Sequence, residues 1–228
     1  MKIDILTLFP KMFDGFINES IIKRAINNNY VEINVIDFRE YSQLKNKQVD
    51  DTPYGGGAGM VLMCEPVILA IEDLKTKDSL VILTTPQGKT YNESLAHELK
   101  EYKHIIIVCG HYEGYDERIR EFVDLEISIG DYILTGGEIP AMAITDSIVR
   151  LIDGVINKES YIEDSFTNNL LDYPTYTKPD NFRGLSVPKV LLSGNHAKIN
   201  KYRKSEQIKR TMARRPDLME KYNGDKES

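Results

Sequence analysis

The chain has 228 residues, of which 41% are hydrophobic and 28% charged, so it can bury a substantial core and has room for one large domain and a small one. Its two cysteines lie in apolar segments and no apolar run is long enough to cross a bilayer, which argues against a disulfide framework, a cysteine metal site and a membrane span, and favours a reducing cytoplasm. The net charge of −6 is distributed unevenly, with the positive excess near the C-terminal end.

The hydrophobic pattern alternates between strands and helices, as is typical of an α/β protein. Apolar runs predict strands at residues 3–9, 30–38, 79–83, 104–109 and 125–127. Apolar residues at helical spacing predict helices at residues 11–26, 65–74, 92–102 and 116–122, and another that begins at Pro140. Residues 105–108 are all β-branched, which is typical of a central strand, so we expect a mostly parallel sheet. The glycine-rich segment 50–60 is expected to be a flexible or ligand-approaching loop.

Three successive strands end in loops that contain glycine or proline, at residues 84–88, 110–114 and 128–140. Because the carboxyl ends of parallel strands share one edge of a sheet, we expect these loops to line a common crevice. The longest loop has neither dinucleotide-binding nor P-loop glycine spacing, and it contains no lysine or arginine. It therefore favours a ligand with little phosphate charge, held by main-chain groups, although taken alone it also fits a tight turn.

The C-terminal part of the chain is less apolar and more basic. Residues 157–169 have the composition of a linker, and a helix is predicted from Asn195, an acceptable N-cap, to about residue 213. Residues 183–221 carry eleven lysines and arginines against three acidic residues, a net charge of +8 that leaves −14 for the remainder. A basic end on an acidic body predicts a polyanionic partner, but a solvated helix face would produce the same pattern.

Two charged residues are candidates for chemistry near the expected crevice. Arg150 lies towards the end of the helix that begins at the crevice, and Asp164 lies in the linker-like segment. Spacing alone favours simpler roles, namely an ion pair of Arg150 with Asp146 and solubility or helix capping for Asp164. The four histidines lack the spacing of a metal site, so no metal-ligating residue is assigned.

Four longer motifs resemble those of bacterial tRNA (guanine-N1)-methyltransferases, a family of the SPOUT class. They are TPQG at residues 85–88, CGHYEGYDERI at 109–119, IGDYILTGGE at 129–138 and RRPDL at 214–218, and the match covers essentially the whole chain in order. The resemblance implies an α/β fold with a deep trefoil knot and a small helical C-terminal domain. It implies a knotted catalytic domain at residues 1–158, an interdomain linker at 159–176 and a tRNA-binding domain at 177–228.

The resemblance also implies that S-adenosylmethionine binds in the crevice formed by the three loops, in agreement with their lack of basic residues. The residues expected to contact this cofactor are Thr84, Thr85, Pro86, Gly110, Tyr112, Glu113, Gly114, Ser128, Ile129, Gly130, Asp131, Tyr132, Ile133, Leu134, Gly136, Gly137 and Pro140. The family is described as needing Mg²⁺ for methyl transfer, and no ligands can be assigned to it.

The implied methyl acceptor is N1 of the guanine immediately 3′ of the anticodon. Since N1 carries a proton, a general base is needed, and Asp164 matches the base proposed for the family. Arg150 matches the residue that would stabilise negative charge on guanine O6. The residues expected to contact tRNA are Tyr54, Gly55, Gly59, Asp172, Ser193, Asn195, His196, Lys198, Arg203, Arg210, Arg214 and Arg215. The resemblance further implies a homodimer in which one subunit supplies the cofactor loops and the other supplies Asp164.

Two positions depart from the family pattern. His111 stands where other members have arginine, and Tyr202 stands where they often have tryptophan. Two other functions stay open from the sequence: a knotted methyltransferase that acts on another RNA nucleotide or on a ribose 2′-hydroxyl, and a catalytically silent RNA-binding module.

Overall fold

The computed structural model describes residues 1–157, 164–166 and 168–222. Two compact units make up the chain, Met1–Ile156 and Asn157–Ser228. Part of the predicted linker, residues 159–163 and 167, lies outside the described residues. Within the described ranges, no helix is long and apolar enough to cross a membrane.

A five-stranded parallel sheet forms the centre of the first unit and confirms the predicted α/β class. The strands of this unit are β1 (Lys2–Thr7), β2 (Glu32–Asp37), β3 (Asp50–Asp51), β4 (Val61–Leu62), β5 (Ser79–Thr90), β6 (His104–Cys109) and β7 (Leu125–Ser128). Their order in the sheet is β2-β1-β6-β5-β7, and Ile3 of β1 lies between Ile33 of β2 and Ile105 of β6. Strands β3 and β4 form a separate antiparallel pair that the sequence pattern did not predict.

Helices cover both faces of this sheet. They are α1 (Asp14–Ile17), α2 (Ser20–Asn27), α3 (Cys64–Leu74), α4 (Glu93–Leu99) and α5 (Glu138–Val149), with 3-10 helices at Pro10–Phe13, Phe38–Tyr41 and Glu117–Phe122. Ile5 and Ile107 belong to the core under α2, α4 and α5, whereas Leu6 and Val108 belong to the core under α3. Because both faces are covered, every residue of β6 is buried, which explains its continuous apolar sequence.

Three helix predictions differ from the structure. The single helix expected at residues 11–26 is three short segments: a 3-10 helix that runs directly into α1, and α2 after a break. The break lies at Glu19, which is extended, and Ser20, whose φ of 51° interrupts the helical hydrogen bonds. The segment expected to be helical at 116–122 is a 3-10 helix. Helix α5 begins at Glu138, so Pro140 is its third residue and not its first. A proline is tolerated there because the first four amides of a helix have no intrahelical acceptor.

Strand β5 is longer than predicted because it resumes after a bulge. Thr84 and Lys89 both pair with Ile127 of β7, so residues 85–88 project from the sheet without a partner in that strand. The bulge lies at the same sheet edge as the ends of β6 and β7. Three strand ends therefore meet at one edge, as the sequence predicted.

The second unit is built around α6 (His196–Arg214), which α7 (Pro216–Met219) follows. A 3-10 helix at Lys189–Leu192 and an antiparallel pair, β8 (Asn181–Phe182) and β9 (Leu185–Ser186), precede it. Leu170 is fully buried, and the Leu171 amide donates a hydrogen bond to Thr211 Oγ1 at 2.8 Å. The segment that follows Asp164 is therefore joined to α6.

Candidate active site

A cavity of about 520 Å³ opens at the carboxyl edge of the sheet in the first unit. Its wall is made by the β5 bulge with Thr84 before it, by residues between 110 and 120 after β6, and by residues between 127 and 140 at the end of β7 and beyond it. Every residue expected to contact the cofactor lines this cavity except Asp131, whose side chain is exposed outside the wall. Seven further residues line the cavity: Gln87, His111 and Thr135 lie in the loops expected to form it, whereas sequence reasoning missed Tyr115, Glu117, Arg120 and Ile127.

The loop before α5 approaches the ends of β5 and β6 so closely that only glycine fits. The Gly137 amide donates to the Gly110 carbonyl at 2.7 Å. A Cβ atom on Gly137 would lie 2.1 Å from Thr84 Oγ1 and 2.7 Å from both the Cys109 Cα and the Gly110 nitrogen. Direct contact between backbones therefore joins the three walls of the cavity.

A buried carboxylate lies directly behind this contact. Glu138 is 2% exposed, and Thr7 Oγ1 donates to its Oε1 at 2.8 Å. Its position in the first turn of α5 suits a negative charge, because the helix amides point towards it. Burial, together with the nearby Glu138, raises the pKa of the Cys109 thiol well above its usual value, so this cysteine is not suited to act as a nucleophile.

The glycine-rich loop at residues 50–60, which is expected to contact tRNA, touches the second cofactor loop. The Glu113 amide donates to the Met60 carbonyl at 3.1 Å, and a Cβ atom on Gly59 would lie 2.3 Å from Glu113 Cγ. Gly55 and Gly59 both have positive φ. Tyr54, which precedes Gly55, is fully exposed. The structure thus brings this loop to the rim of the cavity while leaving the Tyr54 ring available for a partner.

Arg120 stands at the centre of a polar cluster in the cavity wall. Its guanidinium donates to the Tyr115 hydroxyl at 3.0 and 3.2 Å, to Glu117 Oε1 at 2.8 Å and to Gln87 Oε1. It also lies 3.3 Å from Glu126 Oε2, to which the Tyr115 hydroxyl donates at 3.1 Å. This cluster joins the β5 bulge, the second loop and β7, and the two residues that complete it, Arg120 and Glu126, lie outside the motifs quoted above.

The two proposed catalytic residues lie in different compact units. Arg150 is the half-buried C-cap residue of α5, and its amide donates to the Asp146 carbonyl at 3.0 Å. Asp164 is half-buried in a short turn of the second unit. Asp172 is in that unit as well, where its amide donates to Ser165 Oγ at 2.9 Å and its carbonyl accepts from Arg210 at 3.3 Å.

Two of the predicted tRNA contacts organise the start of α6. Asn195 is its N-cap and accepts from the Lys198 amide at 3.1 Å, while Ser193 Oγ accepts from the Asn195 amide at 3.2 Å. Asn195 and Ser193 therefore have structural roles in addition to any contact with RNA. His196 and Lys198, on the first turn of the helix, are exposed.

The remaining basic residues lie along α6 and beside aromatic rings. Arg203 lies over the Tyr173 ring at 4.8 Å, and Arg215 lies over the Phe166 ring at 5.9 Å. Arg215 also donates two hydrogen bonds to the Asp217 carboxylate, at 2.7 and 2.9 Å. These hydrogen bonds hold the pKa of Asp217 below its usual value. Arg214, at the last turn of the helix, is exposed.

Within residues 1–157, 164–166 and 168–222, no group of three or more His, Cys, Asp and Glu side chains is arranged to hold a metal ion. Cys64 and Cys109 are both free thiols. The cavity therefore offers backbone groups, a few carboxylates and aromatic rings to a ligand.

Comparison with known proteins gives the same family over nearly the whole chain. The family model described as tRNA (Guanine-1)-methyltransferase TrmD matches residues 1–221. A tRNA (guanine-N(1)-)-methyltransferase of Malacoplasma penetrans is 59% identical, with 97% of this chain and 98% of that protein covered. Another, of Staphylococcus aureus, is 57% identical, with 100% of this chain and 95% of that protein covered. The chain belongs to the tRNA (guanine-1)-methyltransferase family.

Proposed function

We propose that this chain transfers a methyl group from S-adenosylmethionine to N1 of the guanine immediately 3′ of the anticodon in tRNA. Family membership makes it a tRNA methyltransferase, and the nucleotide, the cofactor site and the side-chain roles are our proposal. The observation that carries it is the cavity of about 520 Å³ at the sheet edge, beside the loop that presents Tyr54.

The cavity suits S-adenosylmethionine in size and in charge. Small-molecule sites enclose about 300–1,000 Å³, and this one lies within that range. Glu113 and Glu117 line it, and the guanidinium of Arg120 is engaged by carboxylates. These groups favour a cationic ligand over one that carries phosphates. When bound, the cofactor supplies an electrophilic methyl group on a positively charged sulfur.

Asp164 acts in this proposal as the general base. Guanine N1 holds a proton at neutral pH, so its electron pair becomes available for the methyl group only when that proton leaves. The carboxylate of Asp164, which is half-buried in a turn, accepts the proton.

Arg150 acts as the electrostatic partner of this step. As N1 loses its proton, negative charge develops on guanine O6, where a guanidinium can donate hydrogen bonds to it. Arg150 is held at the end of α5, the helix whose first residues form the cavity wall. A rigid helix therefore fixes its distance from the cofactor loops.

The site is completed by a second copy of the chain in this proposal, with the cofactor loops from one subunit and Asp164 from the other. Large apolar side chains near the cavity support such an interface, since Ile133 is 80% exposed and Ile139 is 50% exposed. We also propose the trefoil knot, the domain division at residues 1–158, 159–176 and 177–228, a need for Mg²⁺, and a cytoplasmic location.

The basic face of α6 binds the anticodon stem-loop in this proposal. Phosphate contacts from Arg203, Arg210, Arg214 and Arg215 would supply affinity, and the unstacked guanine in the cavity would supply specificity. The aromatic rings beside Arg203 and Arg215 keep these guanidinium groups in place, which lowers the entropy lost on binding.

The decisive experiment uses two unmodified tRNA transcripts that differ only in the nucleotide 3′ of the anticodon, guanine in one and adenine in the other. Labelled S-adenosylmethionine is expected to label the guanine transcript alone, with the label recovered as 1-methylguanine. Equal labelling of both transcripts, or a methyl group on a ribose, would contradict the proposed target. Cofactor binding without transfer to either would favour a silent RNA-binding module.

A further inference from the structure

We infer that Arg120, through Tyr115 and Gln87, is a positioning residue that holds the β5 bulge in the shape required by the methyl donor. This inference rests on the proposed function, because it concerns the same cavity. It assigns a role to Arg120, which lies just outside the motif at residues 109–119.

The bulge needs support from outside its own strand. Residues 85–88 have no partner in β7, since Thr84 and Lys89 both pair with Ile127. Thr85, Pro86 and Gln87 nevertheless line the cavity, so their positions decide its shape. A four-residue excursion that loses its ladder hydrogen bonds samples many conformations unless other contacts restrict it.

Two side chains from the second loop reach the bulge. Arg120 donates to the side-chain carbonyl of Gln87, and the Tyr115 hydroxyl lies 3.5 Å from Thr85 Oγ1. Arg120 also donates to the Tyr115 hydroxyl, so the two supports are joined. Opposite them, Gly88 packs against the β7 backbone, where a Cβ atom would lie 2.4 Å from the Ile127 nitrogen.

Two carboxylates anchor the guanidinium of this cluster. Glu117 holds one edge of the guanidinium at 2.8 Å, and Glu126 of β7 lies 3.3 Å from the other. The Arg120 side chain is only 28% exposed, and it stacks over the Tyr115 ring at 5.7 Å. A planar group with five donors can serve these acceptors together, whereas an ammonium group cannot reproduce the same fork.

Charge and positioning predict opposite effects on the methyl donor. Arg120 is surrounded by two carboxylates, so its removal makes the cavity wall more negative. Simple electrostatics would then strengthen binding of the cationic S-adenosylmethionine and leave the neutral product, S-adenosylhomocysteine, unchanged. Loss of positioning would instead weaken both ligands to a similar degree, because both must fit the same bulge.

The test is calorimetric titration of the full-length protein with each ligand separately. Arg120→Ala is expected to weaken both ligands about tenfold, Arg120→Lys nearly as much, and Tyr115→Phe about threefold. Arg118→Ala is the matched control, since Arg118 belongs to the same 3-10 helix and pairs with Asp116 but does not line the cavity. Its affinity for both ligands is expected to match that of the unchanged chain.

Several outcomes would overturn the inference. Tighter binding of S-adenosylmethionine alone would show that Arg120 acts only through its charge, and unchanged binding of both ligands would show that it positions nothing. If Arg120→Ala does not fold, Tyr115→Phe decides alone, because it keeps the ring and removes only the hydroxyl. If the unchanged chain binds neither ligand, the proposed cofactor site itself is wrong and this inference is wrong with it.

Discussion

Replacing Gly137 by alanine tests the backbone contact that joins the cavity walls. The added Cβ would lie 2.1 Å from Thr84 Oγ1, which can rotate, but also 2.7 Å from the Cys109 Cα and the Gly110 nitrogen, which cannot move without shifting the end of β6. Overpacking of this kind costs about 1–3 kcal/mol, and loss of the hydrogen bond between Gly137 and Gly110 adds about 1 kcal/mol. We therefore expect a loss of about 2–4 kcal/mol in the free energy of unfolding.

The assay is urea denaturation, accompanied by thermal melting and titration with S-adenosylmethionine. For a chain of this size, a loss of about 2–4 kcal/mol lowers Tm by roughly 5–15 °C. Gly15→Ala is the matched control, because its Cβ would meet nothing within 4 Å and the residue lies in α1. That variant should be neutral or up to about 1 kcal/mol more stable. Equal midpoints and equal cofactor affinity for the two variants would refute the close approach described for Gly137.

Four further outcomes are expected. Asp164→Asn should bind S-adenosylmethionine normally and lose most of its turnover; full turnover would remove this residue as the base. Arg150→Ala chains mixed with Asp164→Asn chains should regain activity, because the proposed shared-site dimer would have one intact site in each heterodimer; a mixture as inactive as its parents would exclude shared sites. Replacing Arg214 and Arg215 by alanine should raise the tRNA Kd and flatten its log–log salt dependence by about 1–2 units, which filter-binding at several salt concentrations would measure. Burial opposes the charge of Asp4, but hydrogen bonds from Lys2, Asn34 and His104 outweigh that effect and lower its pKa. The ionised carboxylate therefore contributes its full stabilisation of the folded state above the unfolded pKa of about 3.9, and this contribution is lost as the pH falls through the folded pKa. Asp4→Asn should therefore cost about 1.5–3 kcal/mol at pH 7 and progressively less below pH 4 in urea denaturation.

The shape of the site could be predicted from the sequence because parallel strands impose it. Continuous apolar runs at residues 79–83 and 104–109 identify strands buried on both faces, and strands of that kind share an orientation. The loops that follow them must then lie at one edge, whatever the detailed connections. The order of the strands was beyond such reasoning, because β6 pairs with both β1 and β5 and no periodicity carries that information.

The cluster around Arg120 could not be predicted because its members meet only through tertiary register. Gln87, Tyr115 and Glu126 come from a bulge, a loop and a strand, and their spacing along the chain follows no helical or strand period. The bulge itself depends on Thr84 and Lys89 sharing one partner, which the apolar pattern of β5 does not indicate. Breaks such as that at Glu19 are missed for a similar reason, since a single extended residue leaves the helical spacing around it intact.

The charge pattern separates two recognition tasks within one chain. The proposed methyl donor is a compact cation, and the cavity presents carboxylates and backbone groups within a unit that has no basic excess. The proposed RNA is a polyanion, and the basic residues are concentrated at 183–221, with a net charge of +8 in a chain of net −6. If the cavity carried that positive charge, RNA phosphate groups would compete for the cavity and the cationic methyl donor would be repelled. In our proposal the two residues that act on the target guanine, Arg150 and Asp164, belong to different units, so neither unit alone carries the full set of catalytic side chains.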